Sequence, residues 1–179
     1  MSLGFFAFAL LLCPFVAGAA GHQSAALTKD DSGLVLTATD GARFDAPGFP
    51  DQVGYSQPHI APDGKYVGWL ALYPNDGTSY PIPLKLVVLD QSRHLHTFTG
   101  IDISIFSWCF MQNSTAVMYM QSPLHFSDYR HFELRRLRDG RLLAKYDDPG
   151  SGANSKQVRK PAPAWVRQMS DRPGCGGNE

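Results

Sequence analysis

The sequence predicts an all-β fold built from repeated units of four antiparallel strands. Apolar runs of strand length alternate with polar turns such as Asp-Gly. The chain also matches itself at a spacing near 50 residues, which is typical of an array of similar sheets. No stretch between the N-terminal 20 residues and residue 160 has a convincing helical period of 3.6.

The composition is that of one folded domain. The chain has 179 residues, of which 44% are hydrophobic and 12% aromatic, well above the content of a disordered chain. Lys plus Arg and Asp plus Glu each number 16, so the formal net charge is zero. Nucleic-acid-binding proteins usually carry a basic surplus, so this balance argues against nucleic acid as a partner.

Residues 1–20 are predicted to be a signal peptide. Residues 3–16 form an apolar run too short to span a bilayer, and the small residues that follow suit cleavage after Ala19 or Ala20. No Lys or Arg precedes the run, which departs from the usual pattern. The alternatives are a buried N-terminal helix and a lipid anchor at Cys13, which Leu12 disfavours. We therefore expect an exported protein, periplasmic or extracellular, with no membrane span in the mature chain.

Two cysteines, Cys109 and Cys175, remain after the leader. In an oxidising compartment they can pair, but Cys109 lies in an apolar strand and Cys175 in a Gly-rich tail. The sequence favours a buried inert thiol and a mobile one over a bridge.

The repeat consists of alternating inner and outer hairpins. Residues 60–70 superimpose on 110–120 at an offset of 50, and residues 84–98 on 132–146 at an offset of 48. A third copy of the outer hairpin lies at residues 34–44. The inner hairpins are apolar at nearly every position, as expected for strands covered on both faces, whereas the outer hairpins alternate. A period of this size predicts propeller blades or a similar array.

Turn residues set the boundaries of the units. Asp-Gly pairs at Asp40-Gly41 and Asp139-Gly140 predict type I′ turns, in which both central residues have positive φ. The predicted organisation is a flexible segment at 21–32, a hairpin at 33–46, four-stranded blades at 55–99 and 103–147, and a flexible linker and tail at 149–179. Within the tail, residues 161–169 can dock one turn of helix through Trp165.

Residues 56–69 (SQPHIAPDGKYVGW) resemble the blade signature of the TolB-type propeller repeat. Pro62, Asp63, Gly64 and Lys65 match its turn, whereas Ala61 replaces the usual Ser. The same repeats occur in the propellers of prolyl-oligopeptidase-like peptidases. The resemblance covers residues 33–146 and implies two blades and a preceding hairpin, too few to close a ring. Three alternatives follow from this number. The open faces of an incomplete propeller pair with another chain, the sheets pack in some other way, or the chain is a fragment of a propeller.

One end of such sheets is a candidate partner-binding surface. In a meander, the connection from the second strand to the third and the connection between blades emerge on the same side. Aromatic residues on long loops of a rigid scaffold commonly make protein contacts, although they can also simply cap the sheets. The residues predicted to share this side are Phe49, Tyr73, Tyr80, His125, Phe126 and Tyr129.

Other chemistry has weaker support. His94 and His96 share one strand face but lack a third metal ligand. Ser56 stands in a sequence that resembles a nucleophile elbow only superficially, because Pro58 replaces the second Gly. The arginines of residues 130–141 are interpreted as a charged, solvated edge.

The sequence thus predicts a non-catalytic binding or scaffold module, without cofactor or metal, that binds a protein partner or self-associates. The alternative is a lipocalin-like closed antiparallel barrel that binds a small apolar ligand. A hydrolase that uses Ser56 or a histidine metal site is the third possibility.

Overall fold

A computed structural model describes residues 19–75, 77, 79–100, 104–124, 128–150, 161–171 and 175. These residues form three antiparallel sheets and one helix, so the predicted all-β fold is confirmed. None of the described sheets closes on itself, which contradicts the lipocalin-like barrel. Residues 1–18 of the predicted signal peptide lie outside the described residues. No helix among the described residues is long and apolar enough to cross a membrane.

The first sheet has three strands in the order β1 (His22–Leu27), β2 (Leu34–Ala38) and β3 (Arg43–Asp45). The prediction of a flexible segment at 21–32 is wrong for β1, which pairs antiparallel with β2. Its polar sequence gives no strand signal. The strand is ordered by this pairing and by a hydrogen bond of 2.7 Å from the His22 N–H to the Gly64 carbonyl of the second sheet.

The second and third sheets are meanders of four strands in chain order, as the repeat predicts. The second sheet contains β4 (Gly54–Ile60), β5 (Tyr66–Tyr73), β6 (Ile82–Asp90) and β7 (Leu95–Thr99). The third contains β8 (Ser104–Met111), β9 (Ala116–Ser122), β10 (Arg130–Arg136) and β11 (Leu142–Asp148).

The hairpin turns fall where they were predicted, but their type differs. Gly41 has a φ of 85°, whereas Asp40 is not in the left-handed region. The Gly41 N–H donates to the Ala38 carbonyl and the Ala38 N–H to the Ala42 carbonyl. This is a type I turn followed by a glycine bulge rather than type I′, so glycine alone supplies the positive φ.

The sheets stack face to face and enclose two apolar cores. Leu34 and Leu36 of the first sheet pack with Trp69 and Val87 of the second. On its other face, the second sheet packs against the third, where the central residue is Trp108. The indole N–H of Trp108 donates to the Gln57 carbonyl, at 3.2 Å, across the two sheets. A bulge in β4 between Ser56 and His59 frees that carbonyl from the ladder.

The outer face of the third sheet is covered by the C-terminal segment. Helix α1 (Ala164–Asp171) buries Val166 and Met169 against this face. Cys175 forms a disulfide with Cys109 of β8. The expected unpaired thiols and flexible tail are therefore wrong for residues 161–171 and Cys175. The docked helical turn expected at residues 161–169 agrees with α1, whose Trp165 packs on this face, whereas the separation of 66 residues hid the disulfide.

We predict that Gly68→Ala destabilises the stack. A Cβ at Gly68 would lie 2.5 Å from Cη2 of Trp108, whose ring is fully buried and cannot move aside. Overpacking of this kind costs about 1–3 kcal/mol of unfolding free energy, measurable by urea denaturation. Gly77→Ala is the control, since its nearest contact is an ordinary 3.5 Å. The cost should shrink in a Trp108→Leu background, and equal stability of the two alanine variants would contradict the prediction.

A second prediction concerns the disulfide. The intact mass of the unreduced mature protein should be that of the bridged form, and neither Cys109 nor Cys175 should react with an alkylating agent before reduction. Because the bridge closes a loop of 66 residues, the Cys109→Ala/Cys175→Ala variant should lose about 2–4 kcal/mol of unfolding free energy. Two alkylated thiols in the folded, air-oxidised protein would refute the pairing.

Candidate functional site

Two long connections meet at one end of the first and second sheets. Residues 46–53 lead from β3 to β4, and residues 74–81 lead from β5 to β6. The Val53 N–H donates to the Leu72 carbonyl at 2.9 Å, and the Tyr55 N–H donates to the Asp31 carbonyl at 2.9 Å. The first hydrogen bond fixes the end of the first connection to β5, and the second joins the start of β4 to the turn between β1 and β2 of the first sheet. Three of the six predicted surface residues lie here: Phe49, Tyr73 and Tyr80.

Phe49 and Tyr73 share one cation. Lys85 of β6 places its Nζ 4.1 Å from the centre of the Phe49 ring and 5.6 Å from that of Tyr73. All three side chains are half-buried. A cation–π contact at such a position contributes about 0.5–1 kcal/mol. These two aromatic residues therefore pack over the end of the sheets and also contribute to the exposed surface there.

Tyr80 and Val53 are the exposed part of this end. Tyr80 is 54% exposed and Val53 48%. Together with Pro74 and Pro81 they line a shallow depression of about 430 Å³. We call Phe49, Val53, Tyr73, Tyr80 and Lys85 the loop-end surface.

The remaining predicted residues belong to the connection between β9 and β10. His125 and Phe126 lie outside the described residues. Tyr129 belongs to the third sheet, where its hydroxyl donates to Asp147 Oδ1 at 2.6 Å. This hydrogen bond is the main cause that raises the pKa of Tyr129 to about 12.

Sequence reasoning missed two features of the candidate site. In the alternation predicted for the outer hairpin at residues 84–98, Lys85 is the polar residue beside Leu84 and Leu86, yet its face packs toward the first sheet. Val53 gave no signal, because a single valine in a loop is ordinary. The alternation Leu84-Lys85-Leu86 was visible, but which face meets a neighbouring sheet depends on the stacking.

A buried polar network occupies the third sheet. Glu133 is only 3% exposed. It accepts hydrogen bonds from the Tyr119 hydroxyl and from Arg135 Nε, the latter at 2.6 Å. His131 bridges two carboxylates, with Nε2 3.2 Å from Glu133 and Nδ1 2.6 Å from Asp147. The network links three strands through side chains rather than backbone.

The network shifts the pKa of its acids downward. Burial raises the pKa of Glu133, but hydrogen bonds from Arg135, Tyr119 and His131 outweigh burial and lower it. Hydrogen bonds from His131 and then Tyr129 lower the pKa of Asp147. Burial and the bond to Glu133 raise the pKa of Tyr119. Glu133 is thus held ionised while the Tyr119 hydroxyl is held protonated.

The weaker catalytic candidates have ordinary surroundings. Ser56 pairs with Leu70 inside β4, and no strand-to-helix turn follows it. His94 and His96 both approach Asp90, at 3.4 and 3.6 Å. Within the described ranges, however, no group of three or more His, Cys, Asp or Glu is arranged to hold a metal ion.

The arginines predicted to form a solvated edge are partly engaged in ion pairs. Arg135 pairs with Glu133, and Arg136 pairs with Asp139 at 2.6 Å.

No family model and no curated protein matches the chain. Among solved structures, the chain is similar to the acylaminoacyl peptidase of Pyrococcus horikoshii, with 14% sequence identity and a TM-score of 0.44. The alignment covers 73% of this chain and 25% of the peptidase, so the chain spans about a quarter of the peptidase's length. A likeness at this level carries no argument about activity.

The polar network generates a pH prediction. Because the pKa of Glu133 is lower in the folded state than in the unfolded state, its contribution to stability is present at neutral pH and lost as the pH falls through the acidic range. Glu133→Gln should cost about 1–3 kcal/mol at pH 7 and flatten the decline in unfolding free energy between pH 5 and 3. Asp45→Asn, at an exposed site on β3, is the control for the change of charge. A parallel decline in Glu133→Gln and wild type would show that the network has no such role.

Proposed function

We propose that the protein is an exported, non-catalytic binding module whose loop-end surface contacts a protein partner. In this proposal the second and third sheets are propeller-like blades of the TolB type. The motif that suggests this family lies where such a blade requires it, since Pro62 to Lys65 form the turn between β4 and β5, the first two strands of the second sheet. The first sheet is then an incomplete blade.

The exposed Tyr80 and Val53 on a fixed scaffold carry the proposal. Aromatic residues dominate the binding energy of many interfaces, and Tyr buries a large area at a small entropic cost. The neighbouring proline residues, Pro74 and Pro81, restrict the backbone of the loop that carries Tyr80. Lys85 adds one positive charge beside the apolar patch. The partner we expect therefore places apolar side chains against Tyr80 and an acidic group near Lys85.

Two observations favour a different protein as the partner over self-association through open sheets. The outer face of the third sheet, which would otherwise expose Met118 and Phe132, is covered by α1. On the first sheet, the outward positions Ser24, Arg43 and Asp45 are exposed and polar, and they share this face with Ala26 and Val35. Repeat arrays commonly end in such polar or covered units, which keep the stack soluble.

Export is supported by the cysteine pair together with the leader. A disulfide that closes a long loop persists in oxidising compartments and is rare in a reducing cytosol. Cys109 and Cys175 form such a bridge, and residues 3–16 have the length and composition of a signal-peptide core.

Affinity capture with matched variants tests the binding surface. Mature protein, a Val53→Ser/Tyr80→Ser variant and a Leu142→Ser/Leu143→Ser control are used as baits with extract from the source cells, and bound proteins are quantified by mass spectrometry. Leu142 and Leu143 are 39% and 41% exposed on β11, so the control removes similar apolar surface elsewhere.

We expect one specific protein to bind the wild type and the control alike, and to bind the Val53→Ser/Tyr80→Ser variant at least ten-fold more weakly, which corresponds to about 1.4 kcal/mol. Urea unfolding of all three baits establishes that each is folded. Equal capture by all three, or no protein enriched over an empty support, would refute the loop-end surface as the binding site.

A further inference from the structure

A cavity of about 470 Å³ lies between the outer face of the third sheet and the C-terminal segment. Its walls are mainly apolar: Met120, Phe132 and Tyr146 from the sheet, and Val166 and Met169 from α1. A space of this size is within the range of about 300–1,000 Å³ that small-molecule sites occupy.

The floor of the cavity offers little to a polar ligand. Ser107 is buried, and its hydroxyl lies 3.3 Å from the Met169 sulfur, to which it donates. The rings of Phe132 and Tyr146 pack with their centres 6.1 Å apart. Cys175 completes the floor, and its sulfur is already committed to the disulfide. The interior therefore suits an apolar group.

The lining also contains charged residues. Arg130, the first residue of β10, and Arg167 of α1 both line the cavity, and the acidic residue among its lining side chains is Asp148. Arg167 is held in place because its Nη1 donates to the Ala162 carbonyl, another part of the lining. Two guanidinium groups against one carboxylate leave one net positive charge beside an apolar space. Arginine is well suited to binding a carboxylate, since its planar fork can donate two parallel hydrogen bonds.

We propose that this cavity binds an amphipathic monoanion, specifically a medium-chain acyl carboxylate. The acyl chain lies among Met120, Phe132, Val166 and Met169, and the carboxylate faces Arg130 and Arg167. The two methionines are flexible and polarisable, so they adapt to a chain without a fixed shape. The cavity is formed by the third sheet and α1, whereas the loop-end surface belongs to the first and second sheets, so this inference stands apart from the proposed function.

Calorimetric titration of the disulfide-intact mature protein tests the proposal. Three probes of equal chain length are used below their micellar concentrations: decanoate, decanol and decyltrimethylammonium. We expect decanoate to bind saturably at one site, and the cationic probe to bind at least ten-fold more weakly, because its head group carries the opposite charge and accepts no hydrogen bond from arginine.

Variants locate the binding site. Arg130→Gln/Arg167→Gln should raise the dissociation constant for decanoate at least ten-fold while leaving that for decanol nearly unchanged. Ala162→Trp, which fills the cavity from its edge, should abolish binding of both. Arg141→Gln is the control, because it removes an exposed arginine from the β10–β11 turn. Urea unfolding checks that each variant is folded.

Three results would overturn the proposal: no saturable binding of decanoate, equal affinity for the three probes, or the same loss of affinity in Arg141→Gln as in the double variant. None of these results depends on whether a protein partner is captured, so failure here is distinguishable from failure of the loop-end surface.

Discussion

The contact between Trp108 and Gly68 is the constraint on which the stack depends. The indole approaches β5 so closely that no side chain fits at position 68, and Trp108 is completely buried between the second and third sheets. Burial would leave the indole N–H without a hydrogen-bond partner, but the bulge of β4 places the Gln57 carbonyl within reach of it. The Gln57 side-chain amide then donates to the Phe106 carbonyl at 2.8 Å. Packing and hydrogen bonding thus fix the same relative position of the two sheets.

The sequence predicts the meanders well because their signals are local. Turn residues and apolar runs specify each hairpin, and the repeat assigns the order of the hairpins. The sequence predicts poorly the elements that are held in place by residues far away in the chain. Strand β1 gains its hydrogen bonds from β2 and Gly64, and α1 is placed by the third sheet and by Cys175. Gly68 shows the same limit, because the equivalent position in the other copy of the repeat is Met118. That difference does not follow from the repeat; it follows from what each strand packs against.

In the candidate site, too, the features set by local topology were predicted and those set by the stacking of the sheets were not. The topology of a meander was sufficient to bring Phe49 and Tyr73 together at one end. It was insufficient to place Lys85 between them, because the alternation of β6 does not reveal which of its faces meets the first sheet. Glu133 is the clearest case: its strand looks like a charged edge, but β11 makes it an internal strand, and its carboxylate is buried with Arg135 and Tyr119. Burial of an ion pair is costly unless hydrogen bonds satisfy it, and here Tyr119 and His131 add hydrogen bonds to the Glu133–Arg135 pair.

The outward faces of the first and third sheets, at the two ends of the stack, differ in polarity, and this difference explains the cavity. The first sheet ends the array with a polar outward face, whereas the third sheet keeps an apolar one and relies on α1. A helix of eight residues is about 12 Å long, whereas a strand of seven residues spans about 23 Å. Such a helix covers only part of the sheet, even with Cys175 holding the chain against β8. Among the described residues, the part of this face beyond the helix lies toward Arg130 and Asp148, where the cavity is found. A short segment anchored by the disulfide thus covers part of an apolar face and leaves a pocket at its end.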